Sequence, residues 1–140
     1  MKDNQFQLAQ EWQLLQNQFD SYEKWSLVIK LFAVGVFAMA LMQPLFSPYS
    51  TMLFAILWLQ DGIWKTFQSR IEERLLAIES AIENGTDINA CQFNAQFLLS
   101  RPGTLGLVLA YVKSALKPTV AFPHIVLVVL SVIIYCQSMV

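Results

Sequence analysis

Apolar residues fall along this chain in two rhythms. In three stretches they run almost unbroken, and in two others they recur every third or fourth position among Gln, Asn, Glu and Asp. The unbroken stretches are 26–46 (SLVIKLFAVGVFAMALMQPLF), 49–68 (beginning YSTMLFAILWLQDGIWKTF) and 119–137 (around TVAFPHIVLVVLSVIIYC). A helix of about 20 apolar residues crosses a hydrocarbon core of about 30 Å. The pattern therefore predicts an all-α integral membrane protein with three transmembrane helices. Pro44 and Pro48 bracket the connection between the first two. A turn that short makes them an antiparallel hairpin.

The periodic stretches flank the first two spans. In 1–25, Leu8, Trp12, Leu15, Phe19 and Tyr22 recur at spacings of four, three, four and three. After the second span, Ile71, Leu75, Ile78 and Ile82 repeat the rhythm, with Arg70, Glu72, Glu73, Arg74 and Glu79 around them. Both are heptad-like seams, the signature of helices that pack side by side. At helical rise they extend about 30 Å and 25 Å beyond the spans. The economical reading is one long antiparallel hairpin, half in lipid and half in water, with its seams facing. The rival is that each stripe lies flat on the membrane surface.

The connection from 69 to 117 carries several punctuation marks. Asn84-Gly85 ends the second long helix, and Thr86 or Asp87 is placed to cap a short helix over 88–99. Arg101-Pro102-Gly103 reads as a turn. Residues 105–112 are apolar but too few to span. They predict an interfacial helix near 104–117 with Lys113 and Lys117 toward headgroups, a re-entrant segment being the rival. Pro118 separates it from the third span, and Pro123 falls in that span's first turns.

Composition agrees with lipid rather than with a soluble core. Of the 140 residues 56% are hydrophobic and only 14% charged, against about 25% charged in soluble domains. Lys2, Lys24 and Lys30 lie at or before the start of the first span. Lys65, Arg70, Arg74, Arg101, Lys113 and Lys117 lie between the second and third, and the hairpin turn and C-terminal tail have none. The positive-inside rule then puts the N-terminus and 65–117 in the cytoplasm and the C-terminus outside. Tyr22, Trp25, Phe46, Tyr49, Trp64, Phe67 and Tyr135 mark the span ends as interfacial aromatics. The first residues have no apolar core of a secretory signal, so the first span is expected to stay as an anchor. A net charge of −1 gives no nucleic-acid footprint. Cys91 and Cys136, on opposite sides of the bilayer in this topology, are expected to be unpaired small apolar residues.

Asp61 is the leading candidate for a functional group. It lies about 17 Å from the hairpin turn along its helix, within the inner half of the bilayer, where an ionisable residue marks function by default. Lys65, one turn on, and Lys30, at similar depth on the first span, are its expected partners. The cluster reads as a proton or ion relay, as a polar contact to another subunit, or as a pin for hairpin register. His124, near the cytoplasmic start of the third span, is a possible pH-sensitive group. Gly35, Ala33, Ala38 and Ala40 make one part of the first span small. No phosphate loop, HExxH, nucleophile elbow or metal-spaced cysteine pair occurs, so no catalytic residue, metal or cofactor is expected. The carboxylates outside the spans read as solvated charges on the seam flanks.

The run EWQLLQNQFDSYEKW, the span after it and LFAILWLQDGIWKTFQSRIEERL resemble a loose group of small uncharacterised bacterial membrane proteins. In that group a polar N-terminal helix leads into a two-helix membrane hairpin. The matching positions are Trp25, Asp61 and the Glu73-Arg74 pair, over about residues 10–80. The region 86–140 departs from the group. The resemblance implies a bacterial inner membrane and brings no activity. The first expectation is therefore a non-enzymatic accessory or scaffold subunit that binds a membrane-protein partner or another copy of itself through its helices, surrounded by membrane lipids. The second is an oligomeric pore or membrane-perturbing effector, as in phage defence or a toxin–immunity system. A membrane enzyme comes third.

Overall fold

A computed structural model of the chain describes residues 2–42 and 45–139. Pro44 and the side chain of Lys2 lie outside the described residues. Among those residues the protein is all helix: α1 (Lys2–Met42), α2 (Pro48–Asn84), α3 (Phe93–Ser100), α4 (Thr104–Ala115) and α5 (Pro118–Ser138). α1 and α2 are unbroken over 41 and 37 residues, and each continues well past its apolar run. They form one antiparallel hairpin, with α5 alongside both and α4 against α2.

Two helices, α1 and α5, are long and apolar enough to cross a membrane. The expectation of three such helices is met in two. In α2 the apolar run is cut by Gln60, Asp61 and Lys65, which lower its apolar character below that of the other two.

The hairpin turn is set by local chemistry. Ser47 caps α2: its side chain accepts from the Ser50 N–H, and the Ser50 hydroxyl accepts from the Ser47 N–H at 2.9 Å. Pro48 sits in the first turn, where its missing N–H would be unpaired in any case. At the other end Gly85 takes φ 64° and closes α2 with its N–H on the Ala81 carbonyl. That left-handed conformation favours glycine.

Two apolar cores hold the elements together. The outer one joins the two seams: Leu8 and Leu15 of α1 meet Ile71, Leu75 and Ile78 of α2, with Trp12, Phe19 and Tyr22 packed against them. The two stripes thus close on each other within one chain. Ile82 does not take part; it is 47% exposed, and Ala81 occupies the buried position. Ile82 borders instead a cleft formed with Asn4, Gln5 and Leu8 at the end of the hairpin. The second core lies at the hairpin end, where Ala33, Phe37, Phe54 and Leu127 pack together.

The connection differs from expectation in two places. α3 begins at Phe93 rather than near 88, and its N-cap is Gln92 without a side-chain bond. Asp87 instead accepts from the Asn4 amide at 2.8 Å, and that amide also bonds the Ile88 carbonyl. Residues 86–89 therefore run non-helically past the start of α1, and 90–91 form a turn. Pro123 is the sixth residue of α5, just beyond the turn in which a missing N–H is free, so the Thr119 carbonyl lacks its helical donor.

α4 docks closely on α2. Thr66 donates to the Ser114 hydroxyl at 2.8 Å, and the Trp58 indole to the Ala115 carbonyl at 2.8 Å. A Cβ on Gly62 would lie 2.7 Å from the Ala115 Cβ and 3.0 Å from its backbone. Gly62→Ala is therefore expected to push α4 off α2, costing about 1–3 kcal/mol. Denaturant titration of the purified protein measures this, and an unchanged midpoint would show that α4 yields freely.

Candidate functional site

Between the two apolar cores lies a polar layer. Ser26 and Lys30 stand one turn apart on α1, Asp61 faces them from α2, and His124 faces them from α5. Asp61 and His124 have no exposure at all, although the helices around them are largely apolar. The Ser26 hydroxyl donates to Asp61 Oδ1. Lys30 Nζ donates to Ser26 Oγ at 2.8 Å and stands 3.2 Å from Asp61 Oδ2. His124 Nε2 is 3.3 Å from the same oxygen. With a carboxylate as acceptor, Nε2 is the nitrogen that carries a proton. The other ring nitrogen, Nδ1, is buried without a partner. One carboxylate of α2 thus gathers donors from α1 and α5, tying three helices together, and both of its oxygens are engaged.

Two of the three residues expected in this cluster come together, and the third does not. Lys65 donates to Gln68 Oε1 at 2.7 Å and makes no ion pair with Asp61. Spacing along α2 allowed the pair, but Asp61 turns inward to α1 and α5 while the long Lys65 stem carries its ammonium outward. His124, expected as an isolated group, is part of the layer. Its place follows from the packing of α5, which single-residue reading cannot supply. Lys30 keeps 21% exposure and opens onto a cleft of about 220 Å³ lined also by Glu23, Lys65, Gln68 and Thr119.

A second buried charge pair was not anticipated. Arg74 of α2 grips Glu11 of α1 with two bonds: Nε to Oε1 at 2.9 Å and Nη2 to Oε2 at 3.0 Å. Arg74 also donates to the Asn89 carbonyl and to Gln96 Oε1, and Glu11 accepts the Cys91 N–H at 2.8 Å. Neither side chain is a solvated flank charge; Arg74 is 4% and Glu11 8% exposed. Burial works against a charge on Glu11. The Arg74 hydrogen bond, the Cys91 N–H and the Arg74 positive charge outweigh it and hold the carboxyl below the usual glutamate range. Cys91 takes a left-handed φ of 59° at this contact. A faint signal existed: Glu11 and Arg74 each stand three residues from a seam position, Leu8 and Ile71.

Of the expected seam, Leu8, Leu15, Ile71, Leu75 and Ile78 are buried, Trp12 and Phe19 pack at the edge, and Ile82 is out. The Trp12 indole also donates to Glu79 at 2.9 Å. Both cysteines are free and exposed. No group of three His, Cys, Asp or Glu is placed to hold a metal among the described residues. Compared with known protein families, with curated proteins and with solved structures, the chain matches none.

Proposed function

We propose that this chain is a three-span protein of a bacterial inner membrane, with its N-terminus in the cytoplasm and its C-terminus outside. In this reading it is a non-enzymatic accessory or scaffold subunit that binds a protein partner or a second copy through its helices. The observation that carries it is how the buried ionisable groups are used. Asp61 is consumed by Ser26, Lys30 and His124, and Glu11 by Arg74 and Cys91. These groups pin helices in register rather than stand ready for chemistry.

Burial in the apolar helices supports the membrane setting. Only 22% of the apolar stretch of α1 and 28% of that of α5 is buried within the chain, whereas the core helix of a soluble protein buries most of its surface. α2 becomes the third span because it packs against both and its one acid is neutralised where it lies. Since the seam closes within the chain, the partner surface is its outer side. Phe6 and Leu14 are exposed there, and Leu14 lines a groove of about 450 Å³ with Gln7, Gln10, Cys91 and Phe93. Large apolar side chains on a water-facing helix mark an interaction surface.

The second reading, an oligomeric pore or membrane-perturbing effector, draws on one observation. The cleft beside Lys30 leads from the cytoplasmic end of the spans toward the polar layer. One experiment separates the two. Cross-linking in native membranes followed by purification should yield one partner, or a second copy, at fixed stoichiometry, and Leu14→Glu should abolish it. Depolarisation of cells on overexpression, lost in Asp61→Asn, would favour the pore instead.

A further inference from the structure

Arg70 is a cation that the rest of the fold does not use. Its guanidinium lies 4.7 Å from the centre of the Phe67 ring and 4.3 Å from that of Phe97. Among the described residues no carboxylate lies within ion-pair distance of it, and its side chain makes no hydrogen bond. Two rings therefore fix the cation in place, and its N–H groups are left free to donate outward. Beside it is a cleft of about 230 Å³, lined also by Gln18, Tyr22, Asn94 and Phe97. No acid lines this cleft; Arg70 also borders a second one, where Glu73 and Arg74 stand together. The cleft joins a free guanidinium and two side-chain amides to an aromatic wall, which suits a phosphate carried on an apolar body.

Depth narrows the source of that phosphate. Counting from Pro48, about 20 residues of α2 cross the hydrocarbon core and reach Phe67. The headgroup layers add roughly 5–7 Å on each side. Arg70 is three residues further, about 4–5 Å, and so falls in the phosphate layer of the cytoplasmic leaflet. The aromatic pair Tyr22 and Trp64, 4.9 Å apart, marks the same boundary. The corner from α3 to α4 leaves Leu98, Leu99 and Leu105 exposed, the last 87%.

We propose that Arg70, held between Phe67 and Phe97, is a binding site for the phosphate group of an anionic phospholipid in the cytoplasmic leaflet. The inference rests on the three-span reading. Native mass spectrometry of the detergent-solubilised protein, titrated with phosphatidylglycerol or phosphatidylcholine, tests it. Wild type should bind the first phosphatidylglycerol in preference. Arg70→Gln should weaken that binding about tenfold, the size of a lost charge-assisted bond, and leave phosphatidylcholine unchanged. Phe97→Leu, which keeps the charge and loses one ring, should weaken it about two- to fivefold. Arg101→Gln, on the exposed loop nearby, should leave it intact. Unchanged binding in both Arg70→Gln and Phe97→Leu overturns the site, as does an equal loss in Arg101→Gln. Displacement of the lipid by millimolar inorganic phosphate overturns the lipid as its source. A reporter after Val140 found in the cytosol would overturn the three-span reading itself, whereas correct topology with no phosphatidylglycerol preference overturns this inference alone.

Discussion

Arg74→Met will destabilise the protein by about 3–5 kcal/mol, because it leaves the Glu11 carboxylate buried without its cation. Two other groups lose their partner at once: the Asn89 carbonyl and Gln96, which tie the connecting segment and α3 to the hairpin. The double variant Glu11→Leu/Arg74→Met should recover much of the loss, since replacing both charges by apolar groups removes the desolvation penalty along with the attraction. The test is denaturant titration followed by circular dichroism. A double variant no more stable than Arg74→Met would show that the pair is not coupled in this way.

The same pair gives the stability a pH dependence of known sign. The folded-state pKa of Glu11 is lowered, so its contribution is fully present above the ordinary glutamate value, about 4.3. It is lost as pH falls through the lower folded-state value. Wild type should therefore weaken with acid below about pH 4.3. Glu11→Gln, less stable at neutral pH, should weaken less steeply over the same window. Parallel curves would remove Glu11 from the account.

The other large effect is expected at Asp61. Asp61→Ala removes the acceptor shared by Ser26, Lys30 and His124 and should cost about 3 kcal/mol or more. Lys30 can recover part of this by swinging its ammonium toward the cleft, while buried Ser26 and His124 have no such escape. The loss should appear first in α5, whose polar tie to the hairpin at this level is His124. Protease accessibility of the chain beyond Pro118, read alongside SDS titration, separates loosening of α5 from global unfolding. A loss below about 1 kcal/mol would mean that the three helices are held without the Asp61 layer, by apolar packing and the Thr51–Ser131 contact. Asp61→Asn should be milder, because an amide oxygen still accepts the Ser26 hydroxyl.

What could be read beforehand divides along a physical line. The two long helices, the hairpin, the seam and the Gly85 stop are local or periodic properties, and apolar spacing and turn chemistry carry them. The Lys30 and Asp61 contact was legible because a tight hairpin fixes the depth of one helix against the other. His124 was not, because 63 residues separate it from Asp61 and only the rotation of α5 turns its ring inward. Lys65 shows the converse error: i to i+4 spacing offers a pair, and tertiary burial of one member alone withdraws it. Glu11 and Arg74 stand on seam flanks that normally face water, and they are buried because residues 86–92 fold back over them. That return path has little pattern of its own. Asp87, which reads as a helix cap, is used by Asn4 instead.

Because α1 and α2 run through the polar layer as unbroken α-helices, the hairpin behaves as a single stiff shaft. α1 is about 60 Å long at helical rise. In the proposed three-span setting, a change in tilt of roughly five degrees, which a bilayer a little thicker or thinner would impose, would carry the far tip sideways by about 5 Å. A partner resting against that tip would then be informed of the thickness of the lipid at the opposite end.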